Sequence, residues 1–460
     1  MKLFNSLTKK LEDFHPITKN QVGLYTCGPT VYHFVHIGNL RTYLMSDVLR
    51  RVLNYNHHQV KAVMNITDVG HLTSDGDTGE DKIEREAKTI SDVQAIVKKY
   101  TDSFVLNMKA LNILPPDVMP RASEHIQDQI EMIKTLIEKG FAYESDEAVY
   151  FDVAKFPYYN QLTGQKLDDM MLGARQEVVK DPKKKNPIDF VLWFKAVGRY
   201  AHHIQVWDSP WAQGFPGWHI ECSAMSEKYL GTSFDIHAGG VDLKFPHHTN
   251  EIAQAESSSG KKFVNFWLHG EHLLINEGKM ARSEGNFTTL NDLIDKGLNP
   301  LAYRYLILTA HYRSKLNFSW DSVQGAQNAL NNLYQEVSSM GEAKNVVPKF
   351  ETAFQETIDD DLNTPQALAV VWDLVKNDEV ASGDKLATLF KFDQILGLNL
   401  EAIWKSARKI PQAVEKLVAE RETARQEKNF TKSDELRKQI ETSGYLLEDT
   451  VDGYKLKKKF

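Results

Sequence analysis

Only two cysteines occur in the sequence, Cys27 and Cys222, and each stands in a run that also carries histidine. Cys27 opens Cys27-Gly28-Pro29-Thr30-Val31-Tyr32-His33-Phe34-Val35-His36-Ile37-Gly38, and Cys222 closes Gly217-Trp218-His219-Ile220-Glu221-Cys222. A third run, Pro246-His247-His248-Thr249-Asn250-Glu251, follows soon after. Two thiols, an imidazole and a carboxylate are donors that Zn2+ accepts. A single free cysteine is more often a small buried hydrophobe, and His247 or Glu251 alone fits an ordinary helix. The combination changes the weighing. His247 and Glu251 are four apart behind Pro246, which suits a first helical turn, so both side chains leave one face. This helix is expected from about Pro246 to Glu256, stopping in Ser257-Ser258-Ser259-Gly260. Spacing alone does not show that the two distant cysteines meet that face.

Three further runs offer phosphate or ribose chemistry. His36-Ile37-Gly38-Asn39 lies between a strand-like and a helix-like segment, where backbone N–H groups and the helix dipole favour an anion. Gly38 lets a base or phosphate approach the backbone, and His36 can donate to a phosphate oxygen. Lys279-Met280-Ala281-Arg282-Ser283-Glu284-Gly285-Asn286 places two cations three apart in a loop, which could clamp a polyphosphate. Gly239-Gly240-Val241-Asp242 is a tight turn followed by an acid that could hold a ribose hydroxyl or an ammonium. Taken singly, each also fits a surface turn.

The elements around these runs alternate in type. Gln21 to Thr26 and Val60 to Ile66 read as strands, and His36 to Leu53 as a helix with Leu40, Leu44, Val48 and Val52 at four-residue spacing. Phe234-Asp235-Ile236-His237 and Phe263 to Leu268 read as later buried strands. Such alternation argues for a parallel α/β sheet. Asp117 to Ile204 differs, following Pro115-Pro116 and holding Ala148 to Val153 as a strand, and is expected to be an insertion between two halves of the sheet. From Asp321 the pattern is helical and amphipathic, including Pro365 to Val375 behind the cap Asn363-Thr364. Val414 to Thr442 is helical and charge-rich, breaking at Gly444.

Composition excludes several classes. Hydrophobic content of 42% and charged content of 25% are those of a globular protein of 460 residues with several domains. Two cysteines suit a reducing cytosol, the N-terminal run Met1 to Lys10 has no apolar core of a signal peptide, and no apolar run is long enough to span a membrane. Net charge is −7, so the whole chain is no general polyanion binder. From Lys405 to the end, however, 14 Lys and Arg face 10 Asp and Glu. A basic C-terminal module on an acidic body suits a polyanion touched at one end. The runs Lys183-Lys184-Lys185 and Lys455-Leu456-Lys457-Lys458-Lys459, taken alone, read as solvated surface.

Together these runs resemble a class I aminoacyl-tRNA synthetase, and within that class the cysteine-specific family. The resemblance covers essentially the whole chain. It includes Tyr25-Thr26-Cys27-Gly28, Asn65-Ile66-Thr67-Asp68, Met119-Pro120-Arg121-Ala122, Gly217 to Met225, Phe234 to Gln254 and Asp360-Asp361-Leu362-Asn363-Thr364-Pro365. It implies an α/β fold: a Rossmann-type parallel-sheet catalytic domain (1–116 and 205–320) with an inserted connective domain (117–204), then a helical bundle (321–403) and a small anticodon-binding domain (404–460). Implied zinc ligands are Cys27, Cys222, His247 and Glu251. Thr67, Trp218, His237 and Asp242 match positions around the amino acid and the ATP ribose. His36, Gly38, Asn39, Gly239, Asp242, Lys279 and Arg282 match ATP-handling positions, with His36, Lys279 and Arg282 acting in catalysis. Arg425, Phe430, Asp434 and Asp449 stand where the family reads the anticodon. Two departures appear. Asn39 replaces the second histidine of His-Ile-Gly-His, and Ala281-Arg282 replaces Ser-Lys in Lys-Met-Ser-Lys-Ser.

The implied activity is ligation of L-cysteine to tRNA-Cys through an adenylate, using Mg2+ with ATP, by a cytoplasmic monomer. Zinc would tell cysteine from serine, because a bound thiol gives up its proton to form a strong metal–sulfur bond. Four protein ligands usually close a zinc site. Selection therefore needs Glu251 to be a weak ligand or the metal to become five-coordinate. The rivals are a ligase joining cysteine to an amino-sugar, and a tRNA-binding paralogue with impaired catalysis.

Overall fold

The computed structural model describes residues 1–70, 87–164, 183–275, 287–450 and 453–459, with the backbone alone at 278–279. These form two compact units. The first comprises Met1–Asp292, Tyr312–Asn317 and Asp359–Leu362, and the second Leu293–His311, Phe318–Ile358 and Asn363–Phe460.

The first unit is built on four parallel strands: β1 (Gln21–Thr26), β2 (Gln59–Met64), β3 (Phe234–Gly240) and β4 (Val264–Gly270). Their spatial order is β4-β3-β1-β2. β1 and β2 are joined through helix α1 (Ile37–Tyr55). Helix α2 (Trp218–Leu230) leads into β3, and helix α3 (His247–Ser259) runs from β3 to β4. The strands are buried because helices cover the sheet, which is why they read as continuous apolar runs. The order of strands reverses between β1 and β3. Open α/β sheets bind ligands at the carboxyl ends of strands at such a switch point.

A second, antiparallel sheet of four strands runs Ala142–Glu144, Ala148–Phe151, Phe190–Lys195, Gly214–Pro216. Its last strand hands the chain directly to α2. The lysines at 183–185 are not a freely solvated run. Lys183 Nζ lies 3.0 Å from Glu147 Oε1, and Lys185 Nζ sits 4.1 Å from the Tyr143 ring centroid.

The second unit is helical up to Gly444, as the amphipathic pattern predicts. Asn363 caps the helix Thr364–Lys376 by accepting from the Gln366 N–H. Its final part is a helix pair, α4 (Gln412–Gln426) and α5 (Phe430–Thr442), followed by the hairpin β5 (Tyr445–Thr450) and β6 (Gly453–Lys458). Val414, Val418, Ile440, Tyr445 and Leu447 form its small core. The basic end of the chain is therefore a paired strand rather than a solvated tail.

Candidate metal and substrate site

The switch point explains how residues far apart in sequence converge. Cys27 follows directly on β1. Cys222 lies in the first half of α2, packed behind the same strands. His247 is the first residue of α3 and Glu251 lies one turn on. α3 is buried on nearly every side from His247 to Ala255, so Glu251 is a wholly buried carboxylate rather than a solvated one.

Cys27, Cys222, His247 and Glu251 each offer a ligand atom, and these atoms lie within 4.8 Å of one another. The two Sγ atoms are 3.9 Å apart. Two Zn–S bonds of about 2.3 Å at a tetrahedral angle span about 3.8 Å, so the thiol spacing fits one ion. Glu251 Oε1 lies 3.7 Å from Cys27 Sγ and 3.1 Å from His247 Nε2. The other oxygen, Oε2, is held 2.9 Å from His237 Nε2. The far nitrogen of His247, Nδ1, is 2.9 Å from His219 Nδ1. Such outer contacts fix which ring nitrogen faces a metal.

Charge follows from this packing. Burial would favour a neutral Glu251, but His237 and His247 outweigh it and bring its carboxyl down to about 2. Burial likewise opposes a charged His247, yet Glu251 and Cys222 lift it to about 10. Burial pushes the Cys27 thiol up, while its hydrogen bond draws Cys222 down to about 7. The pocket thus already favours a thiolate at Cys222 and a carboxylate at Glu251.

A second, overlapping quartet is Cys27, His237, His248 and Glu251. His248 Nε2 lies 3.4 Å from Cys27 Sγ, and its Nδ1 lies 2.8 Å from His269 Nε2. Burial holds both His248 and His269 well below the usual imidazole range, so they are neutral. Sequence reasoning passed over His248, His269 and His219 as candidates. The doublet His247-His248 was the available signal. The first quartet contains both thiols, the donors that soft divalent ions prefer.

Trp218, Thr67 and Gly239 adjoin this cluster or its immediate neighbours. The Trp218 ring centroid is 4.6 Å from that of His247. Thr67, just beyond β2, donates its hydroxyl to Glu221 Oε2 at 3.0 Å. Gly239 lies at the end of β3 with no room for a side chain, since a Cβ would stand 2.6 Å from His248 Cε1. Asp242 is exposed in the short turn Val241–Lys244 that follows.

His36 caps α1, accepting the Asn39 N–H on Nδ1 at 3.2 Å. Gly38 lies in that first turn and Asn39 is exposed there. The chain that follows the Lys279 to Asn286 run lands on this cap. Phe287 packs edge-on at 5.4 Å from the His36 ring, and the Ile37 N–H donates to the Thr288 carbonyl at 2.9 Å. Lys279 pairs through its backbone with Leu274. Arg282 and Ala281 lie outside the described residues.

In the second unit, Arg425 on α4 is bound to Asp449 on β5. Arg421 Nη2 and Arg437 Nη2 approach the same carboxylate at 2.7 and 3.5 Å. Arg425 and Asp449 are thus partners. Phe430 is 66% exposed at the start of α5, and Asp434 is exposed on the same helix.

Comparison with known proteins accords with this geometry. Residues 13–328 match a family model described as the class I (C) tRNA synthetase catalytic domain. Residues 353–401 match a DALR domain, and 407–454 match a cysteinyl-tRNA ligase anticodon-binding domain. The methionyl-tRNA synthetase of Mycobacterium tuberculosis bound by methionyl-adenylate shares the fold, with a TM-score of 0.56 at 14% identity over 85% of this chain and 95% of that one. The fold is that of a class I aminoacyl-tRNA synthetase. A cysteine–tRNA ligase of Burkholderia lata is 45% identical over 99% of this chain and 96% of its own. One from Thermus thermophilus is 41% identical over 98% of both. The chain belongs to the cysteine–tRNA ligase family.

Proposed function

We propose that the protein activates L-cysteine with Mg·ATP and transfers it to tRNA-Cys, and that it selects its amino acid at a zinc ion held by Cys27, Cys222, His247 and Glu251. The observation that carries the selection is the convergence of four buried donors from three separate elements. Bound there, Zn2+ favours a thiolate over a hydroxyl as an added ligand. Glu251, one of whose oxygens is committed to His237, would be the ligand to yield or loosen when the substrate sulfur is added, unless the ion became five-coordinate.

The chain's own side chains do the remaining work. Thr67, Trp218 and His237 line the amino-acid position, and Gly239 and Asp242 stand at the ATP ribose. The cysteine carboxylate attacks the α-phosphorus and pyrophosphate leaves. His36, Lys279 and Arg282 stabilise the charge that builds on the phosphates. Asn39 can donate a hydrogen bond there, though it brings no positive charge. A terminal ribose hydroxyl of the tRNA then attacks the activated carbonyl. Arg425, Phe430, Asp434 and Asp449 read the anticodon, by base-edge hydrogen bonds and by stacking. The enzyme works as a cytoplasmic monomer in this reading. Among the described residues no helix is long and apolar enough to cross a membrane.

The helix pair and hairpin at 412–458 speak against an amino-sugar ligase, which has no anticodon to read. The altered signature residues Asn39, Ala281 and Arg282 are the sole support for an inactive paralogue. Cysteine-dependent exchange of label between pyrophosphate and ATP, followed by charging of tRNA-Cys, tests the proposal. Exchange without charging would favour the first rival, and no exchange the second.

A further inference from the structure

Beneath the proposed substrate site runs a buried chain of hydrogen bonds of which the chemistry above uses only Thr67. The Gly28 N–H donates to Asn65 Oδ1 at 2.8 Å. Asn65 Nδ2 donates to Thr67 Oγ1 at 3.0 Å, and Thr67 Oγ1 donates to Glu221 Oε2 at 3.0 Å. Asn65, Thr67 and Glu221 are each at most 2% exposed. The direction is dictated by chemistry. A backbone N–H can only donate, so Asn65 must turn its oxygen to Gly28 and its NH2 to Thr67. The Thr67 oxygen therefore accepts, and its own hydrogen is left for Glu221.

The ends of this chain adjoin the two thiols: Gly28 follows Cys27, and Glu221 precedes Cys222. The backbones also press together here, since a Cβ on Gly28 would stand 1.7 Å from the Asn65 carbonyl oxygen. We propose that Asn65 is a positioning residue for amino-acid recognition. Its amide ties the Cys27–Gly28 segment to the Glu221–Cys222 stretch of α2 through the Thr67 hydroxyl, holding the two thiols at their separation and Thr67 in its one orientation. This inference rests on the reading of the site as a cysteine pocket.

The test uses the full-length protein and pyrophosphate exchange, with KM for cysteine and for ATP measured separately. Asn65→Asp is nearly isosteric and keeps the acceptor for Gly28, but it has no N–H for Thr67. It should raise the cysteine KM about tenfold, the scale of one buried hydrogen bond, and leave the ATP KM within about twofold. Asn65→Ala, which cuts both links, should raise it further and also lower the zinc retained per chain. Because Asn65→Asp acts through the hydroxyl, adding it to Thr67→Val should raise the cysteine KM no further than Thr67→Val alone. Equal changes in both KM values, or additive effects in the double variant, would overturn the inference. A wild-type protein that exchanges label with cysteine but binds no zinc would instead overturn the metal reading, while the KM pattern would still judge Asn65.

Discussion

Cys27 Sγ and Cys222 Sγ stand 3.9 Å apart although 195 positions separate them in the chain. The sheet makes this meeting. One thiol sits where β1 ends, and the other lies on the helix that feeds β3, the strand next to β1. Replacing Cys222 with serine keeps the size of the side chain and exchanges a soft donor for a hard one. Cys222→Ser should lose most of its zinc and most of its affinity for cysteine together, with KM for ATP little changed. Metal analysis beside pyrophosphate exchange measures both. Full zinc loss with an unaltered cysteine KM would separate the metal from selection.

Gly28 is required by close approach rather than by its torsion angles. Gly28→Ala would drive a methyl group into the Asn65 carbonyl oxygen, a backbone atom just beyond β2. A cost of about 1–3 kcal/mol is expected from such overpacking. Denaturant unfolding of the variant checks the cost. A midpoint equal to that of the wild type would mean that the turn gives way freely.

Phe430 projects from the start of α5 with two-thirds of its surface in solvent. Stacking on a base contributes about 1–3 kcal/mol. Phe430→Ala should therefore raise KM for tRNA-Cys by about tenfold or more and leave cysteine-dependent pyrophosphate exchange as it was. An unchanged tRNA KM would remove Phe430 from the recognition surface.

Asp449 is held below the ordinary carboxylate range. Burial opposes the charge, but Arg421, Arg425 and Arg437 outweigh it. A carboxylate with a depressed folded pKa contributes stability that is fully present above its unfolded value, about 3.9, and lost as pH falls through the folded one. Asp449→Asn should therefore lower the thermal midpoint of the protein by equal amounts at pH 6 and pH 8. A penalty that shrank between those two values would place the titration elsewhere.

Much of this was legible in the residues. Gln21–Thr26 emerged as the expected strand, His36 as the start of α1, and the helix after Pro246 ended at Gly260 in a left-handed cap. Local pattern carries such elements because apolar periodicity and capping are short-range. The four proposed ligands were legible from residue type together with family resemblance, since spacing cannot report a contact across 195 positions. What escaped was long-range and polar. The partners His219, His248 and His269 matter through ring nitrogens that meet only after α2, α3 and β4 have packed. The ion pair between Arg425 and Asp449 needs the hairpin at 445–458, whose lysines read as a solvated tail because charge masks a short strand's alternation.

Selection of the amino acid is proposed to rest on a single metal ion. The most direct measurement is elemental zinc in the purified full-length protein, paired with cysteine-dependent pyrophosphate exchange before and after removal of the metal by a chelator. About one zinc per chain is expected, with exchange that falls with zinc content and recovers when Zn2+ is restored. Full cysteine-dependent exchange from a metal-free protein would contradict it.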